Sequence, residues 1–269
     1  MTNIAILGAA GRMGQALVRC ILETDDLWLT GALENEQCPL LDKDAGIMAG
    51  AAATGVNLTA NFSQAVQDAE VLIDFSFPSA TRAHAEMAAQ LGKPIVIGTT
   101  GLNKDESEVV RQTAARVPVV WAPNMSLGVN LLFALTGKLA GILKDYDIEI
   151  VEMHHRHKKD APSGTALHLA ENAAIARGVN MEDTMVHGRH NTCEERPSGQ
   201  IGMHALRGGD VIGDHTVIFA GAGERLELGH RASRRECFAV GALHAARWVK
   251  AHAPGLYNMQ DVLGLTPST

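Results

Sequence analysis

A short basic segment in the second half of the chain carries residue types that exchange protons and bind anions. Three histidines, one arginine and two lysines stand between positions 154 and 159, although the whole chain has a formal net charge of −7. Imidazole exchanges protons near neutral pH, and cationic side chains bind anionic oxygens. Ser163, Gly164 and Thr165 follow and predict a helix start, whose first N–H groups attract anions. This pattern predicts a site for a small dianion, such as a dicarboxylate.

Two other interpretations of the basic segment remain open. A run of charges is most often a solvated surface. The second alternative is a metal site made by His154, His155 and His157. Neighbouring residues of a strand point to opposite faces, so three such rings converge poorly, and no acidic side chain completes a usual ligand spacing. We therefore predict no bound metal.

A glycine-rich loop occurs near the start of the sequence. The apolar segment Asn3–Leu7 is followed directly by Gly8-Ala9-Ala10-Gly11-Arg12-Met13-Gly14. Glycines between a strand and a helix allow a tight turn and a close approach of a pyrophosphate to the backbone. Glu34 follows Gly14 by 20 residues, the distance expected for a carboxylate that binds ribose hydroxyls. Loop, strand and acid together predict a dinucleotide site.

The identity of the dinucleotide stays open between NADH and NADPH. A carboxylate at Glu34 favours NADH because it repels a 2′-phosphate. Asn35 stands where an arginine would favour NADPH, whereas Arg12 could reach a phosphate from the glycine-rich loop. We expect NADH to be used well and NADPH to remain usable.

Other loops lie at the predicted carboxyl ends of strands, where open parallel sheets bind ligands. We expect the loop Gly98-Thr99-Thr100-Gly101 either to lie along the nicotinamide ribose or to form only a turn. In Ala122-Pro123-Asn124-Met125, the Asn124 side chain contacts a nicotinamide carboxamide or caps the next helix with Ser126. Phe75-Ser76-Phe77-Pro78 is interpreted as a wall of the same cleft without chemistry of its own.

The elements that must position these motifs differ between the two halves of the chain. Short apolar strands alternate with helices in the first half, which predicts a Rossmann-type parallel sheet covered on both faces. The second half predicts an α+β domain built on an open mixed, mostly antiparallel sheet. The fold class is therefore α/β. We predict strands at 3–7, 28–33, 71–75, 94–97, 118–121, 147–153, 199–207, 215–220 and 225–229, and helices at 13–22, 80–91, 104–115, 127–143, 164–177 and 238–250.

Composition limits the partners and the compartment. The acidic balance argues against nucleic-acid binding. Four scattered cysteines, Cys20, Cys38, Cys193 and Cys237, contain no CxxC pair and favour a reducing compartment. The first residues predict a strand rather than a secretory signal, and the apolar run at 127–143 is short enough to predict a buried helix. We expect no membrane span and a cytoplasmic protein.

Together these motifs resemble the 4-hydroxy-tetrahydrodipicolinate reductase (dihydrodipicolinate reductase) family. The resemblance rests, in order along almost the whole chain, on Gly8–Gly14, Glu34, Gly98–Gly101, Asn124 with Ser126–Asn130, Glu152–Lys158, Asp160–Ala166, Gly223–Glu227 and His230–Arg234. It implies a homotetramer that reduces the cyclic dicarboxylate 4-hydroxy-tetrahydrodipicolinate to tetrahydrodipicolinate with NADH or NADPH, in lysine and diaminopimelate biosynthesis. It also implies a dinucleotide-binding domain of residues 1–125 plus 236–269, and a substrate-binding and oligomerisation domain of residues 126–235.

The resemblance assigns roles to single positions. It makes His154 a proton donor or acceptor and Lys158 a proton donor. The substrate would be bound by His155, Gly164 and Thr165, and the cofactor by Gly8, Ala9, Ala10, Gly11, Arg12, Met13, Glu34, Asn35, Gly98, Thr99, Thr100, Ala122, Pro123, Asn124 and Met125. Asn35 and Met125 depart from the family pattern, since some members have an arginine and an aromatic residue there. The first departure bears on NADPH preference and the second on nicotinamide packing.

Two alternatives to this function remain. One is another two-domain Rossmann oxidoreductase acting on a sugar or a semialdehyde, although a neutral sugar would not need so many cations. The other is a non-catalytic dinucleotide sensor that binds a partner protein. A sensor would keep the glycine-rich loop and Glu34 without needing His154 and Lys158, and ligand binding without turnover would identify it.

Overall fold

The chain forms two compact units. The structure is a computed structural model that describes residues 1–191 and 194–265, so Cys193 lies outside the described residues. Met1–Leu127 and the chain from Arg235 onward form the first unit, and Gly128–Arg234 forms the second. In the described part of the chain, no helix is both long enough and apolar enough to cross a bilayer.

The first unit contains a seven-stranded sheet in which every pairing is parallel. The spatial order is β12-β6-β5-β4-β1-β2-β3, so the order reverses between β1 and β4. The strands are β1 (Thr2–Leu7), β2 (Leu27–Leu33), β3 (Leu58–Thr59), β4 (Val71–Asp74), β5 (Ile95–Ile97), β6 (Pro118–Trp121) and β12 (Gly255–Tyr257), numbered along the whole chain. The predicted parallel sheet is confirmed, and the short strands β3 and β12 extend its two edges.

Helices cover both faces of this sheet. One core contains Ile4 and Ile6 with α1 and α9, and the other contains Ala5 and Leu7 with α3, α4 and α5. Alternate residues of β1 thus face opposite layers, as a sheet buried on both faces requires. The helices are α1 (Arg12–Leu22), α2 (Ala45–Met48), α3 (Phe62–Val66), α4 (Pro78–Leu91), α5 (Lys104–Ala114), α9 (Glu236–Val249) and α10 (Met259–Val262).

The second unit contains a mixed sheet of five strands in the order β11-β10-β7-β9-β8. The longest strands pair antiparallel, β10 with β7 and β11, whereas β9 pairs parallel with β7 and β8. This confirms the predicted mixed, mostly antiparallel sheet. The elements are α6 (Leu127–Ile142), β7 (Asp147–His154), α7 (Gly164–Arg177), α8 (Met181–Thr184), β8 (Met185–His187), β9 (Ile201–Arg207), β10 (Gly213–Gly221) and β11 (Glu224–Ala232).

One face of this second sheet packs against α6 and α7. Val129 and Phe133 of α6 belong to that core. The helix is not buried all round, however, because Leu131 and Leu135 on another face are more than a third exposed. The prediction of a buried helix at 127–143 therefore holds for one face only.

Candidate active site

The glycine-rich loop lies at the carboxyl end of β1, beside the carboxyl end of β4. Gly8 has a φ of +84°, and a Cβ added to it would lie 2.7 Å from the Phe75 carbonyl oxygen. A Cβ added to Gly14 would lie 2.3 Å from the Gly8 carbonyl oxygen. Larger residues would push the turn open, so the glycines keep the loop backbone against the first turn of α1.

Glu34 follows β2 and is tied to the glycine-rich loop. The Ala10 amide donates to Glu34 Oε2 at 2.9 Å, and the Asn35 amide and Nδ2 each donate to Oε1 at 3.1 Å. A carboxylate accepts about four hydrogen bonds, so Oε2 keeps capacity for a ligand hydroxyl. The side chain thus stands where the sequence predicts a contact to ribose.

A cleft of about 860 Å³ runs along the carboxyl ends of β1, β2, β4 and β5. Of the predicted cofactor residues, its lining contains Gly8, Ala10, Gly11, Arg12, Met13, Glu34, Asn35, Gly98, Thr99 and Thr100. Gln37, Cys38 and Pro39 also line it, as do residues 75–78. Loop amides, an arginine and a carboxylate are the groups that suit a pyrophosphate and a ribose. The residues present therefore fit a dinucleotide cofactor.

The remaining predicted cofactor residues lie apart from this lining. Ala9 is fully buried, and its amide donates to the Leu33 carbonyl oxygen. Ala122–Met125 follows β6, and the Ala122 and Met125 side chains are buried. The Asn124 side chain accepts a hydrogen bond from the Ser126 amide at 2.9 Å, a local turn that precedes α6.

A buried carboxylate supports the cleft wall from beneath. Asp74, at the end of β4, accepts hydrogen bonds from the Ser76 amide at 2.8 Å and from the Thr99 hydroxyl at 3.2 Å. Nδ1 of His84 lies 3.0 Å from its other oxygen. These bonds join the loops after β4 and β5. Sequence reasoning missed Asp74 and His84, although an acid that ends an apolar strand was a usable signal.

In the second unit, the buried face of the sheet changes from apolar to polar at one end. Ile150 of β7 packs in the core, and Glu152 and His154 follow on the same face, because alternate residues of a strand share a face. His215 of β10 is buried and pairs in register with Glu152. This end of the sheet therefore brings an acid and two imidazoles together.

Glu152 has no exposed surface and is surrounded by donors. Its Oε2 lies 2.6 Å from His154 Nδ1 and accepts from Arg207 at 2.8 Å. Its Oε1 accepts from the Ser163 amide at 3.0 Å and from the second Arg207 nitrogen at 2.8 Å. A guanidinium that bonds both oxygens of a carboxylate is the strong, bidentate form of this pair. The buried charge is thus fully hydrogen-bonded.

Ser163 begins α7 and joins the helix start to this cluster. Its hydroxyl accepts from the Ala166 amide at 3.2 Å, as an N-cap does, and lies 3.1 Å from His215 Nε2. Gly164 and Thr165 form the first turn, and Gly164 is exposed. The first N–H groups of a helix point away from it without intrahelical acceptors, which suits a carboxylate at this end.

Lys158 lies in the turn between β7 and α7. Its Nζ is 2.9 and 2.8 Å from the two carboxylate oxygens of Asp160, which is exposed. The Lys158 side chain is only 21% exposed, but Asp160 is 61% exposed, so another carboxylate can replace Asp160 at low cost. His155 in the same turn is half-buried, and His157 is exposed. Among the described residues, no three His, Cys, Asp or Glu side chains are arranged to bind a metal ion.

Burial and hydrogen bonds together set the protonation states in this cluster. Burial raises the pKa of Glu152, but hydrogen bonds from Arg207, His154 and Ser163 lower it by more, so the carboxylate is ionised at neutral pH. Burial lowers the pKa of His154, and the hydrogen bond to Glu152 offsets only part of that effect. Burial also lowers the pKa of His215 to about 4. Both imidazoles are therefore neutral at pH 7.

Sequence reasoning did not assign roles to several residues of this cluster. Glu152 stands two residues before His154, a spacing that places both side chains on one face of a strand, and this signal was available. Ser163 precedes the helix start and was also readable as an N-cap. Arg207 and His215 come from distant strands, so only the sheet pairing brings them to Glu152.

The first unit has a parallel sheet with a cleft that fits a dinucleotide, and the second, α+β unit carries imidazoles and a lysine beside a helix start. These features define a two-domain Rossmann-type oxidoreductase. The model of the dihydrodipicolinate reductase N-terminus matches residues 2–125, and the model of the dihydrodipicolinate reductase C-terminus matches residues 128–263. The chain belongs to the dihydrodipicolinate reductase family. The predicted family resemblance is confirmed.

Individual relatives are similar over nearly the full length. The 4-hydroxy-tetrahydrodipicolinate reductase of Anaeromyxobacter dehalogenans is 48% identical over 266 residues, which cover 98% of each chain. The enzyme of that name from Thiobacillus denitrificans is 51% identical over 264 residues, again 98% of each chain. A solved structure, dipicolinate-bound dihydrodipicolinate reductase from Paenisporosarcina sp. TG-14, has a TM-score of 0.78 and 25% identity, covering 97% of this chain and 98% of that chain.

Proposed function

We propose that this protein reduces 4-hydroxy-tetrahydrodipicolinate to tetrahydrodipicolinate with NADH or NADPH, in lysine and diaminopimelate biosynthesis. One observation supports the proposal most: the Glu152 carboxylate connects His154 to the start of α7, so a proton-exchanging group and an anion-binding helix end lie in one cluster. Relatives about half identical over nearly the full chain carry the name of this reaction. The first unit would bind the nucleotide and the second the dicarboxylate.

Substrate binding would use the cations and the helix end of the second unit. One carboxylate of the substrate would accept hydrogen bonds from the backbone N–H groups of Gly164 and Thr165. His155, half-buried in the preceding turn, would bind the dicarboxylate from the side of β7. Two fixed anion sites orient a small rigid ring, and orientation alone supplies a large part of the rate in such reactions.

The reaction also needs a proton. NADH or NADPH, when bound, supplies the hydride that a ring carbon conjugated with the imine accepts. Negative charge then develops toward the ring nitrogen, and Lys158 would stabilise that charge and donate a proton. Lys158 would leave Asp160 for this purpose, an exchange that the exposure of the Asp160 carboxylate permits. The neutral His154 ring would accept or relay the proton.

The nucleotide preference belongs to the proposal as well. Glu34 would bind the ribose hydroxyls of NADH, and Asn35 provides no cation for a 2′-phosphate. Arg12 lines the same cleft and leaves NADPH usable. We expect both nucleotides to work, with NADH used well.

The proposal also covers the compartment and the oligomeric state of the protein. The three described cysteines are free, which suits a reducing compartment, and we place the protein in the cytoplasm. We also propose a homotetramer assembled through the second unit. The exposed Leu226 on the edge strand β11 and the exposed leucines of α6 are apolar surface of the kind that subunit contacts cover.

A coupled absorbance assay tests the reaction. The unstable substrate is generated in the cuvette by a dihydrodipicolinate synthase from pyruvate and aspartate semialdehyde, and the oxidation of NADH and NADPH is followed. We expect oxidation that depends on the synthase. A protein that binds either nucleotide but oxidises neither under these conditions would be a dinucleotide sensor or would act on another substrate.

A further inference from the structure

The Glu152 carboxylate contacts two features that the proposed reaction uses separately. Its Oε2 lies 2.6 Å from Nδ1 of His154, and its Oε1 accepts from the amide of Ser163, which begins α7. Arg207 bonds both oxygens, which leaves the carboxylate few free acceptor directions. A side chain without exposed surface and with this many donors has one position and one rotamer.

This geometry determines which nitrogen of His154 carries the proton. An ionised carboxylate only accepts hydrogen bonds, so Nδ1 must donate and must carry the hydrogen of the neutral ring. The lone pair is then on Nε2, the nitrogen that can accept a proton from elsewhere. In the other tautomer, two acceptors would face each other at 2.6 Å.

We propose that Glu152 is a positioning residue for both parts of the site: it fixes the tautomer of His154 and, through the Ser163 amide, the first turn of α7. The proposal rests on the proposed function for its kinetic tests. Arg207 supplies the countercharge from β9. The other charged or titratable groups near His154 are Lys158 in the adjacent turn and His215 on β10.

A second acid on β7 provides a comparison. Glu149 also pairs with an imidazole, His204 at 2.7 Å, and with Arg189 and Arg196 at 3.0 Å. It is partly exposed and lies on the face of β7 opposite to Glu152. Both are glutamates on β7 and each pairs with a different imidazole, but of the two only Glu152 is bonded to the start of α7. Glu149→Gln is therefore the matched control for Glu152→Gln.

The kinetic test compares these two variants in the coupled assay. A glutamine at position 152 can turn its amide N–H toward Nδ1 and favour the tautomer with hydrogen on Nε2. We expect Glu152→Gln to lower kcat by at least ~10²-fold, since the corresponding change in serine proteases costs more than this, with NADH affinity within about twofold. Glu149→Gln should keep the kcat of the wild type. Equal losses in the two variants, or a Glu152→Gln enzyme with unchanged kcat, would overturn the proposal.

A spectroscopic test needs no change at Glu152 and no turnover. Nitrogen-15 NMR of histidine-labelled wild-type protein distinguishes the two tautomers of a neutral ring, and His154→Gln assigns the signal. We expect His154 in the Nδ1–H form at pH 7.5. The Nε2–H form would overturn the proposal even if Glu152→Gln failed to fold. A wild-type protein without reductase activity would instead refute the proposed function, and the NMR result would still decide the tautomer.

The separation of the two parts of the site is tested by Ser163→Ala. This change removes the hydroxyl cap but keeps the amide that bonds Glu152, so His154 keeps its tautomer while the first turn of α7 loosens. We expect KM for the dicarboxylate to rise by about tenfold, which corresponds to about 1.4 kcal/mol and lies within the range for losing an N-cap, with kcat within about threefold. A fall in kcat equal to that of Glu152→Gln would show that the two parts of the site cannot be separated, and would contradict the division of roles.

Discussion

At the scale of single residues, the cluster around Glu152 contains one cation whose partner is exposed. Lys158 contacts Asp160, whereas Arg207 contacts a carboxylate that has no exposed surface. The two cations therefore have different freedom, because leaving a buried carboxylate unpaired costs several kcal/mol, whereas water solvates an exposed carboxylate when its partner leaves. Arg207 is fixed, and Lys158 is available to a ligand.

Substitution of Lys158 should affect turnover more than nucleotide binding. We expect Lys158→Ala to lower kcat by at least ~10²-fold, the scale for losing a positioned acid, and to leave the Kd of NADH nearly unchanged. Stopped-flow kinetics and fluorescence titration measure the two quantities. The control is Lys159→Ala, which removes an exposed lysine from the next position. A turnover number equal to that of the wild type would remove Lys158 from the mechanism.

Glu34 should discriminate between the two nucleotides. Its hydrogen bond from the Ala10 amide supports the loop for either nucleotide, but only NADH offers it a free 2′-hydroxyl. We expect Glu34→Ala to raise the Kd of NADH by about tenfold more than the Kd of NADPH, as loss of a hydrogen bond to a charged group implies. Titration of both nucleotides, with exposed Glu36→Ala as control, measures the ratio. Equal losses would mean that Glu34 does not contact the ribose.

At the scale of elements, α9 packs so closely against the loop before α6 that position 241 has no room for a side chain. A Cβ added to Gly241 would lie 1.7 Å from the carbonyl oxygen of Met125. The glycine permits α9 to pack against the sheet beside α1. Gly137 lies within α6, and a Cβ added to it would have no neighbouring atom closer than 3.6 Å. A methyl group therefore fits at this position without displacing its neighbours.

Alanine substitutions at these two glycines should change the free energy of unfolding in opposite directions. We expect Gly241→Ala to lower the free energy of unfolding by roughly 3 kcal/mol or more, because the backbone of the loop or of α9 must shift. Gly137→Ala should raise it by about 0.5–1 kcal/mol, since alanine favours the helix and restricts the unfolded chain. Urea unfolding followed by circular dichroism measures both changes. Stabilisation by Gly241→Ala would show that α9 sits farther from the loop.

Element-level prediction from the sequence succeeded where the signals are local. The helix at 80–91 was predicted to end at Gly92, which has a φ of +67°, and the helix at 164–177 has the predicted bounds. The short strands β3, β8 and β12 were missed, because they have too few residues to show a period, whereas the equally short β5 was predicted from its continuous apolar run.

Within the candidate site, the contact between the glycine-rich loop and Glu34 was predictable for the same local reason, whereas contacts between distant strands were not. The glycine-rich loop and Glu34 are separated by a fixed βαβ spacing, so their meeting was predictable. Arg207 and His215 reach Glu152 only through the pairing of three strands. The alternation within one strand indicates which side chains share a face, but it does not identify the residues of other strands that lie opposite them.

At the scale of the whole molecule, the buried imidazoles make stability depend on pH. Burial lowers the pKa of His215 to about 4 in the folded chain, whereas an unfolded histidine titrates near about 6.5. Between these values the unfolded chain binds more protons, so stability is fully present above about pH 6.5 and is lost as the pH falls toward about 4. The pKa values of His154 and His230 are lowered in the same direction.

Replacing His215 should make the stability of the protein depend less on pH. We expect His215→Gln to be less stable than the wild type at pH 7.5 but to lose less stability between pH 7 and pH 4. The difference in that loss should reach at most about 3 kcal/mol, from the shift in pKa. Urea midpoints across this pH range measure it, and the exposed His190→Gln is the control. Parallel pH profiles for wild type and His215→Gln would contradict the prediction.

The path of the chain through the two units has a consequence for biosynthesis. The first unit begins at Met1 but receives α9 and β12 only from the segment after Arg235, whereas Gly128–Arg234 is continuous. A ribosome therefore delivers every element of the inserted unit before it delivers the helix that completes the nucleotide-binding core. During translation, the residues of the first unit that are made first cannot complete their core until α9 has been synthesised.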